Sequence, residues 1–384
     1  MIERRMTREV AVGNVTIGGR NDIAIQSMTN IPTRDIAANV LQICELAECG
    51  CDIVRLAIGS VDDVKSLAKI KKILLSKGVT IPLVADVHFS PTIASDCLGI
   101  AHKVRINAGN FSDKMAHSKQ FSDEEFSSGR QILVEKLRTL FSRAKDTKTT
   151  LRVGINCGSL APRIVHKFGS GDVAMWESAR ECIDAANGVQ FRDLILSFKA
   201  SDAKKMIAAN RMACSKMDEI GWDFPLHLGV TEAGDGNYGR IKSAIGIGTL
   251  LVDGIGDTIR VSLTEDPSNE IAAAKDILQA CGARRYVAEI ISCPSCGRTS
   301  YDISATLARI RDWIKKIPRA GHLKIAVMGC MVNGLGESKN ADFSVIGTPS
   351  GNLAIYRGEN RMANGIHPDK ICEKLEEIMA HFGV

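Results

Sequence analysis

The chain has 384 residues, 45% of them hydrophobic and 24% charged, the make-up of a globular protein with room for more than one domain. Lys+Arg number 49 against 44 Asp+Glu, a net charge of +5, too even to expect a nucleic-acid partner. No run approaches the ~18 apolar residues of a membrane span, and Met1-Ile-Glu-Arg-Arg5 leads into no apolar stretch, so neither membrane association nor an export signal is expected.

From the N-terminus to about residue 280, short apolar runs alternate with helical stretches. The runs Ile23–Met28, Ile53–Ala57, Leu83–Asp86, Val104–Asn107, Leu151–Asn156, Leu194–Lys199, Leu226–Thr231 and Asp257–Val261 read as strands. Amphipathic segments such as Ala37–Glu48, Val61–Ser76 and Gln131–Lys145 lie between them. Ser118–Ser128 reads as an exposed loop or a frayed helix end. Eight strands, each followed by helix-like sequence, predict a (β/α)8 barrel; a doubly wound open sheet is the rival.

The strands also end alike. Their C-terminal ends carry Gln26 and Ser27; Arg55; Asp86 and His88; Arg105 and Asn107; Arg152 and Asn156; Lys199; His227 and Glu232; Arg260 and Ser262. A barrel brings these ends to one mouth, where barrel active sites lie. Cations gathered there repel unless an anion sits among them, and arginine's planar fork suits phosphate oxygens. Glu232 is placed for proton transfer, and His88 for proton donation or a positioning hydrogen bond.

Beyond residue 280 the pattern changes. Tyr286–Ser292 and Leu323–Met328 read as strands, Ala305–Lys316 and Asp369–Phe382 as helices, and Phe343–Ile346 with Leu353–Tyr356 as a hairpin. The expected division is a barrel over 1–280 and a small α/β domain over 281–384.

That second domain holds Cys293-Pro-Ser-Cys296 and Gly329-Cys330-Met-Val-Asn-Gly-Leu-Gly-Glu337. Two thiolates from one turn and a third from a Gly-rich loop point to a metal centre rather than a dithiol redox pair. Structural zinc takes four protein ligands. A cubic iron–sulfur cluster held by three cysteines keeps one iron open for chemistry. Cys281, Cys372 and Glu337 are the candidates for a fourth ligand; both cysteines read as structural. With 12 cysteines in all, a reducing cytoplasm is the expected location. Most of Cys44, Cys49, Cys51, Cys97, Cys157, Cys182 and Cys214 read as buried small apolar groups, with Cys157 singled out because it lies at the mouth. Gly234-Asp-Gly236-Asn-Tyr-Gly239 matches a dinucleotide fingerprint but does not open its own βαβ unit, so a loop over the mouth is the plainer reading.

Taken together, these segments resemble the 4-hydroxy-3-methylbut-2-en-1-yl diphosphate synthase family of the methylerythritol phosphate pathway, in its bacterial two-domain form. The resemblance is carried by Ile25-Gln-Ser-Met-Thr-Asn30, Ala85-Asp-Val-His-Phe89, Arg105-Ile-Asn107, Gly229-Val-Thr-Glu-Ala-Gly234, Lys242-Ser-Ala-Ile-Gly246, Gly254 through Ser262, Cys293 through Arg298 and Gly329 through Glu337. It implies a [4Fe–4S] cluster held by Cys293, Cys296, Cys330 and Glu337. It implies reductive ring opening and dehydration of 2-C-methyl-D-erythritol 2,4-cyclodiphosphate, with electrons from reduced ferredoxin or flavodoxin. It implies homodimers in which one subunit's cluster domain caps the other's barrel. Matching positions put Arg55, Arg105, Arg152, Lys199, Arg260 and Ser262 on the diphosphate, with Glu232 and Asn333 near the reacting carbons; from their places at the mouth, Asn107 and Asn156 are also expected on the substrate and His88 among the catalytic groups. Leu335 stands where the family usually has Pro, and Ala108 where Pro is commoner. Two other readings compete: a non-redox barrel enzyme for a phosphorylated substrate with a structural zinc domain, and a non-catalytic electron carrier.

Overall fold

The computed structural model describes residues 3–111 and 120–383, with the side chains of Pro318 and Asn333 outside the description. It divides into two compact units, Met1–Arg284 and Arg285–Val384. The break falls at 284/285 rather than 280/281 because Arg284 belongs to the first unit: its guanidinium donates to Asp52 Oδ2 at 2.8 Å and to the Ile23 carbonyl at 3.3 Å.

The first unit opens with a hairpin that the sequence reading missed, β1 (Val10–Val12) paired antiparallel with β2 (Val15–Ile17). Then come β3 (Ala24–Met28), β4 (Ile53–Ala57), β5 (Leu83–Val87), β6 (Lys103–Asn107), β7 (Thr150–Asn156), β8 (Leu194–Lys199), β9 (His227–Leu228) and β10 (Thr258–Ile259). These eight strands are parallel in the order β8-β7-β6-β5-β4-β3-β10-β9, and a parallel bridge from Leu196 to Leu226 brings the first strand back to the last. The unit is a nearly closed (β/α)8 barrel, not an open sheet. β9 and β10 are shorter than the expected runs. Just past β9, a Cβ on Gly229 would lie 2.5 Å from the Arg260 carbonyl and 2.6 Å from Lys199 Nζ, so only glycine fits there.

The hairpin closes the N-terminal end of the barrel. Val10, Val12 and Ile17 form an apolar cluster with Ala24, Ile53, Val84 and Ile195. Side chains alternate along a strand, so residues two further on from this layer also face inward: Gln26, Arg55, Asp86 and Ser197. The floor of the barrel is therefore apolar and its upper interior polar. The helices Ile36–Glu48, Val61–Ser76 and Asp123–Asp146 cover the outside. The last begins at a capping box, with Ser122 receiving the Glu125 N–H and Glu125 reaching back to the Ser122 N–H. Of the expected loop or frayed helix end over 118–128, the part from Asp123 is helical, and residues 118 and 119 lie outside the described ones.

The second unit is a mixed five-stranded sheet in sequence order: β11 (Glu289–Ser292), β12 (Lys324–Met328), β13 (Phe343–Gly347), β14 (Leu353–Arg357) and β15 (Asn360–Ile366). Its larger face, with Ile325, Val327, Phe343, Val345, Leu353 and Ile355, packs on the helices Ile303–Ile314 and Ile371–His381. The reading of the sequence missed β15, whose residues are mostly polar and exposed. It also took residues 331–337 for a loop; they form a short helix, Met331–Glu337.

Candidate active site and a three-thiol cavity

The barrel mouth is organised by two buried carboxylates. Asp86 on β5 accepts from Arg105 on β6 at 3.0 Å, pairs with Arg55 on β4 at 3.6 Å and lies 3.5 Å from His88 Nε2. His88 Nε2 also meets the Arg105 guanidinium. Burial alone would raise the Asp86 carboxyl, but Arg55, His88 and Arg105 outweigh it and hold it well below the usual carboxylate range. Glu270, from the helix Pro267–Ala280, accepts from Arg260 Nε and Nη2 at 3.2 and 3.1 Å, from Ser27 Oγ at 2.8 Å and from the Leu263 N–H at 3.2 Å. One carboxylate thereby fixes an arginine, a neighbouring strand and the chain just past Ser262. Met28 Sδ lies between the two sides, 3.2 Å from Arg55 Nε and 3.8 Å from Arg260 Nη1.

Two further expected cations have no carboxylate partner among the described residues. Arg152 on β7 is 1% exposed, and its Nε and Nη1 have no hydrogen-bond partner among the described residues. Burial first, then Arg55 and Arg105, pull it well below arginine's ordinary value. Lys199 on β8 is also buried, and burial with Arg152, Arg55, Arg260 and Arg105 lowers its ammonium well below the usual range. Arg55 falls to about 10 through burial, with Arg260 and Arg105 adding to it against Asp86. An anion coming to lie among such groups shifts them back towards their ordinary values.

Above the cations a cavity of about 390 Å³ is lined by His88, Asn107, Asn156, Cys157, Lys205, Thr231 and Glu232, among others. It gathers four of the expected site residues. Glu232 is exposed and held at φ +54°, a left-handed conformation uncommon for a non-glycine residue and often found at functional sites. Asn156 Oδ1 is buried without a partner. Asn107, expected on the substrate, has its side chain engaged in the fold: Nδ2 donates to Ser159 Oγ at 2.7 Å and Oδ1 accepts the Gly109 N–H at 3.0 Å. It joins the loops after β6 and β7. Ser262 is half-buried beside the Arg260 network.

The fingerprint-like glycines do not form a dinucleotide site. Gly236 opens the helix Gly236–Val252, and its N–H donates to Glu265 at 2.7 Å. Glu265 also takes both arms of Arg240 at 2.7 and 2.8 Å, which lowers its carboxyl to about 2. The position a pyrophosphate would take on that helix end is filled by the chain's own carboxylate.

In the second unit, Cys293, Cys296 and Cys330 line one cavity of about 190 Å³ with Pro294, Ser295, Arg298, Thr299, Met328, Gly329 and Gly334. Pro294 followed by Ser295 at φ +69° has the pattern of a type II turn, which presents Cys293 and Cys296 from one bend. Gly329 comes close enough for its N–H to donate to Cys293 Sγ at 3.1 Å; a Cβ there would lie 2.4 Å from Thr299 Oγ1. The Arg298 backbone N–H, then its guanidinium, pull the exposed Cys296 thiol below its usual value, which favours the thiolate a metal requires. No set of three His, Cys, Asp or Glu among the described residues is gathered tightly enough for a single metal ion. Glu337, expected as fourth ligand, is exposed at the end of the 331–337 helix and is not among the cavity's lining residues. The side chain of Asn333, expected near the reacting atoms, lies outside the described residues.

The remaining cysteines behave mostly as small core groups. Cys51, Cys97, Cys182 and Cys214 are buried, and burial raises the thiols of Cys51, Cys97 and Cys214 to about 12. Cys49 is a correction: it caps the 36–48 helix and is exposed. Cys372 packs partly into the core of the second unit, and Cys281 donates weakly to the Gly248 carbonyl within the first.

Three groups at or beneath the mouth escaped the sequence reading. Lys103 faces into the barrel one alternation before Arg105 and is 0% exposed; the expected strand began at Val104 and left it out. Lys205 lines the mouth cavity from a helix whose spacing gave no hint of it. Glu270 reads in sequence as an ordinary acid in a helix's first turn.

A (β/α)8 barrel whose mouth collects buried cations, joined to a mixed-sheet domain that turns three thiols into one cavity, defines the class of protein: a two-domain barrel protein with a cationic mouth and a three-thiol cavity. The GcpE TIM-barrel domain matches residues 7–275, and the GcpE protein C-terminal domain matches residues 289–381. The chain belongs to the GcpE family. The 4-hydroxy-3-methylbut-2-en-1-yl diphosphate synthase (ferredoxin) of Synechocystis sp. is 44% identical over 382 residues, covering 99% of this chain and 94% of that protein. The proteins of the same name from Microcystis aeruginosa and Prochlorococcus marinus are each 44% identical, covering 99% and 94% of this chain and 93% and 89% of theirs.

Proposed function

We propose that the chain converts 2-C-methyl-D-erythritol 2,4-cyclodiphosphate to 4-hydroxy-3-methylbut-2-enyl diphosphate, a step of isoprenoid-precursor synthesis, and that the buried cations of the barrel hold the diphosphate. The chain is an iron–sulfur oxidoreductase, as its family and its relatives' names have it. The observation that carries the site assignment is the surplus of inward cations over carboxylates: Arg55, Arg105, Arg152, Lys199 and Arg260 against Asp86 and Glu270. The non-redox reading with a structural zinc finds no support among the relatives.

The residues fit a cluster better than a single ion. Three thiols share a cavity of about 190 Å³ without converging to single-ion distances, and a closed zinc site takes four ligands. A [4Fe–4S] cluster on Cys293, Cys296 and Cys330, with Glu337 as the fourth ligand, would pass on two electrons from the reduced donor, one at a time, and offer an iron that can act as a Lewis acid.

The chain's own residues do the rest. Arg152, Lys199, Arg55, Arg105 and Arg260 bind the diphosphate and stabilise the negative charge that grows as the ring oxygen departs. Asp86 holds Arg55 and Arg105, and Glu270 holds Arg260, in place beforehand, so these three need little reorganisation on binding. Glu232 and His88 border the cavity where the carbon skeleton would lie and are the groups assigned to proton transfer there. Asn156 and Ser262 orient the ligand.

The relatives' names support ferredoxin as the electron donor. Free thiols throughout support a reducing cytoplasm, and no helix among the described residues is long and apolar enough to cross a membrane. Exposed Tyr238, Ile241, Ile245 and Val252 share one face of the 236–252 helix, which supports a homodimer. Analysis of anaerobically purified protein tests the cofactor: iron with acid-labile sulfide is expected, and zinc without sulfide would refute it. Glu337→Ala should retain iron with an altered spectrum and lose most turnover; full turnover would remove Glu337 from the ligand set.

A further inference from the structure

Beneath the expected cations lies a layer that the proposed chemistry does not use. Lys103 on β6 is 0% exposed, and its Nζ has no hydrogen-bond partner among the described residues. The charged and titratable groups facing it are Arg152 on β7, Arg55 on β4 and His227 on β9; none is a carboxylate. Asp86 on the adjacent β5 is already engaged by Arg55 and Arg105. Gln26, 1% exposed, has both polar side-chain atoms unpartnered, as is Nε2 of the fully buried His227. Around the mouth, the described residues thus set Arg55, Lys103, Arg105, Arg152, Lys199 and Arg260 against Asp86 and Glu270.

A buried, unpaired charge costs several kcal/mol, and a lysine can shed its charge where an arginine scarcely can. The burden therefore falls on the lysines. Lys103 is deeper than Lys199 and has no anion in reach.

We propose that Lys103 is a charge reserve for the bound substrate: uncharged while the mouth is empty, it takes a proton from solvent when the cyclic diphosphate enters, so that binding consumes protons. This rests on the anion-site reading above. Burial, then Arg152 and Arg55, lower the Lys103 ammonium well below its ordinary value, and a nearby dianion acts in the opposite sense. Each phosphate of the ring is esterified on one side and in anhydride linkage on the other. Its single remaining proton is strongly acidic, so the ligand neither gives nor takes protons near neutrality.

The sign follows from linkage. The free protein binds fewer protons than the complex between the two values of the lysine's pKa, so affinity for the ring falls as pH rises through that window. For the empty protein the same depression means that the unfolded chain binds more protons. Lys103 thus costs stability below its ordinary range, and the cost fades as pH rises towards that range.

The test is calorimetric titration of the intact, anaerobically purified protein with 2-C-methyl-D-erythritol 2,4-cyclodiphosphate, without reductant, at pH 8 in buffers of different ionisation enthalpy. The expected result is uptake of about one proton per bound ligand, with less uptake in Lys103→Met. Lys103→Arg, whose charge is permanent, should also take up less and serves if the Met variant does not fold. Binding with no buffer dependence in the wild type overturns this inference and leaves the anion site standing, as does undiminished uptake in either variant. Absence of binding overturns the anion site itself, and the inference with it.

Discussion

In the barrel, the cations stand on or just past adjacent parallel strands and face inward, with Arg55 and Arg105 held by Asp86 and Arg260 by Glu270. In the C-terminal domain, the thiols stand on a turn and at the start of a seven-residue helix, half-buried or exposed, around a cavity of about 190 Å³. The first arrangement is in place before its ligand arrives, because backbone register sets the strand-end cations and buried carboxylates fix Arg55, Arg105 and Arg260. The second has few contacts of its own to fix the thiols relative to one another, and its order depends on the group they hold. Loss of one thiol should therefore empty the thiol cavity altogether, whereas loss of one cation should weaken the mouth by degrees.

The largest effect tests the first half of that contrast. Cys330→Ser should lower iron and acid-labile sulfide to background and abolish turnover, while calorimetric affinity for the cyclic diphosphate's anionic end stays measurable. Normal iron in that variant would break the ligand assignment. Next comes Glu232→Gln, which keeps size and hydrogen bonding but removes the proton acceptor. It should lower kcat by roughly 10²-fold or more and change KM little; an unaltered kcat would exclude Glu232 from proton transfer. Arg152→Ala should raise the substrate KM by about 10- to 100-fold, the range for losing a charge-assisted hydrogen bond, with iron content unchanged. Because it also removes an unpaired buried charge, the empty variant should melt no lower than the wild type. An unchanged KM would contradict the ring of cations. The smallest effect belongs to Glu270→Gln, which frees one arginine without deleting it. KM should rise by roughly tenfold or less, and Glu270→Asp should restore part of the loss if the role is to position Arg260.

Much of this was legible in the sequence because a barrel turns strand order into spatial order. The strand ends Arg55, Arg105, Arg152, Lys199 and Arg260 could be assigned to one mouth from the count of strand–helix units alone, and period-2 alternation carried the inward face with it. Lys103 was hidden by a one-residue error in a strand boundary, the least certain feature of any such reading. Glu270 was hidden because tertiary packing, not local pattern, buries a first-turn acid against Arg260 and Ser27. The β1–β2 hairpin is only three residues a side, and the polar β15 has no apolar alternation to announce it. In the thiol domain, spacing singled out Cys293, Cys296 and Cys330, but the glycines after Cys330 suggested a loop. Packing against β13 makes that stretch helical and leaves Glu337 outside the cavity lining.

The central claim is that a two-electron reduction is carried out on an anion held by the barrel. The direct measurement is an anaerobic stoichiometry assay of the iron-replete protein with reduced ferredoxin and the cyclic diphosphate. The account predicts that two one-electron equivalents of ferredoxin are oxidised for each molecule of 4-hydroxy-3-methylbut-2-enyl diphosphate formed. Ring opening without ferredoxin oxidation, or no consumption of the cyclic diphosphate at all, would contradict it.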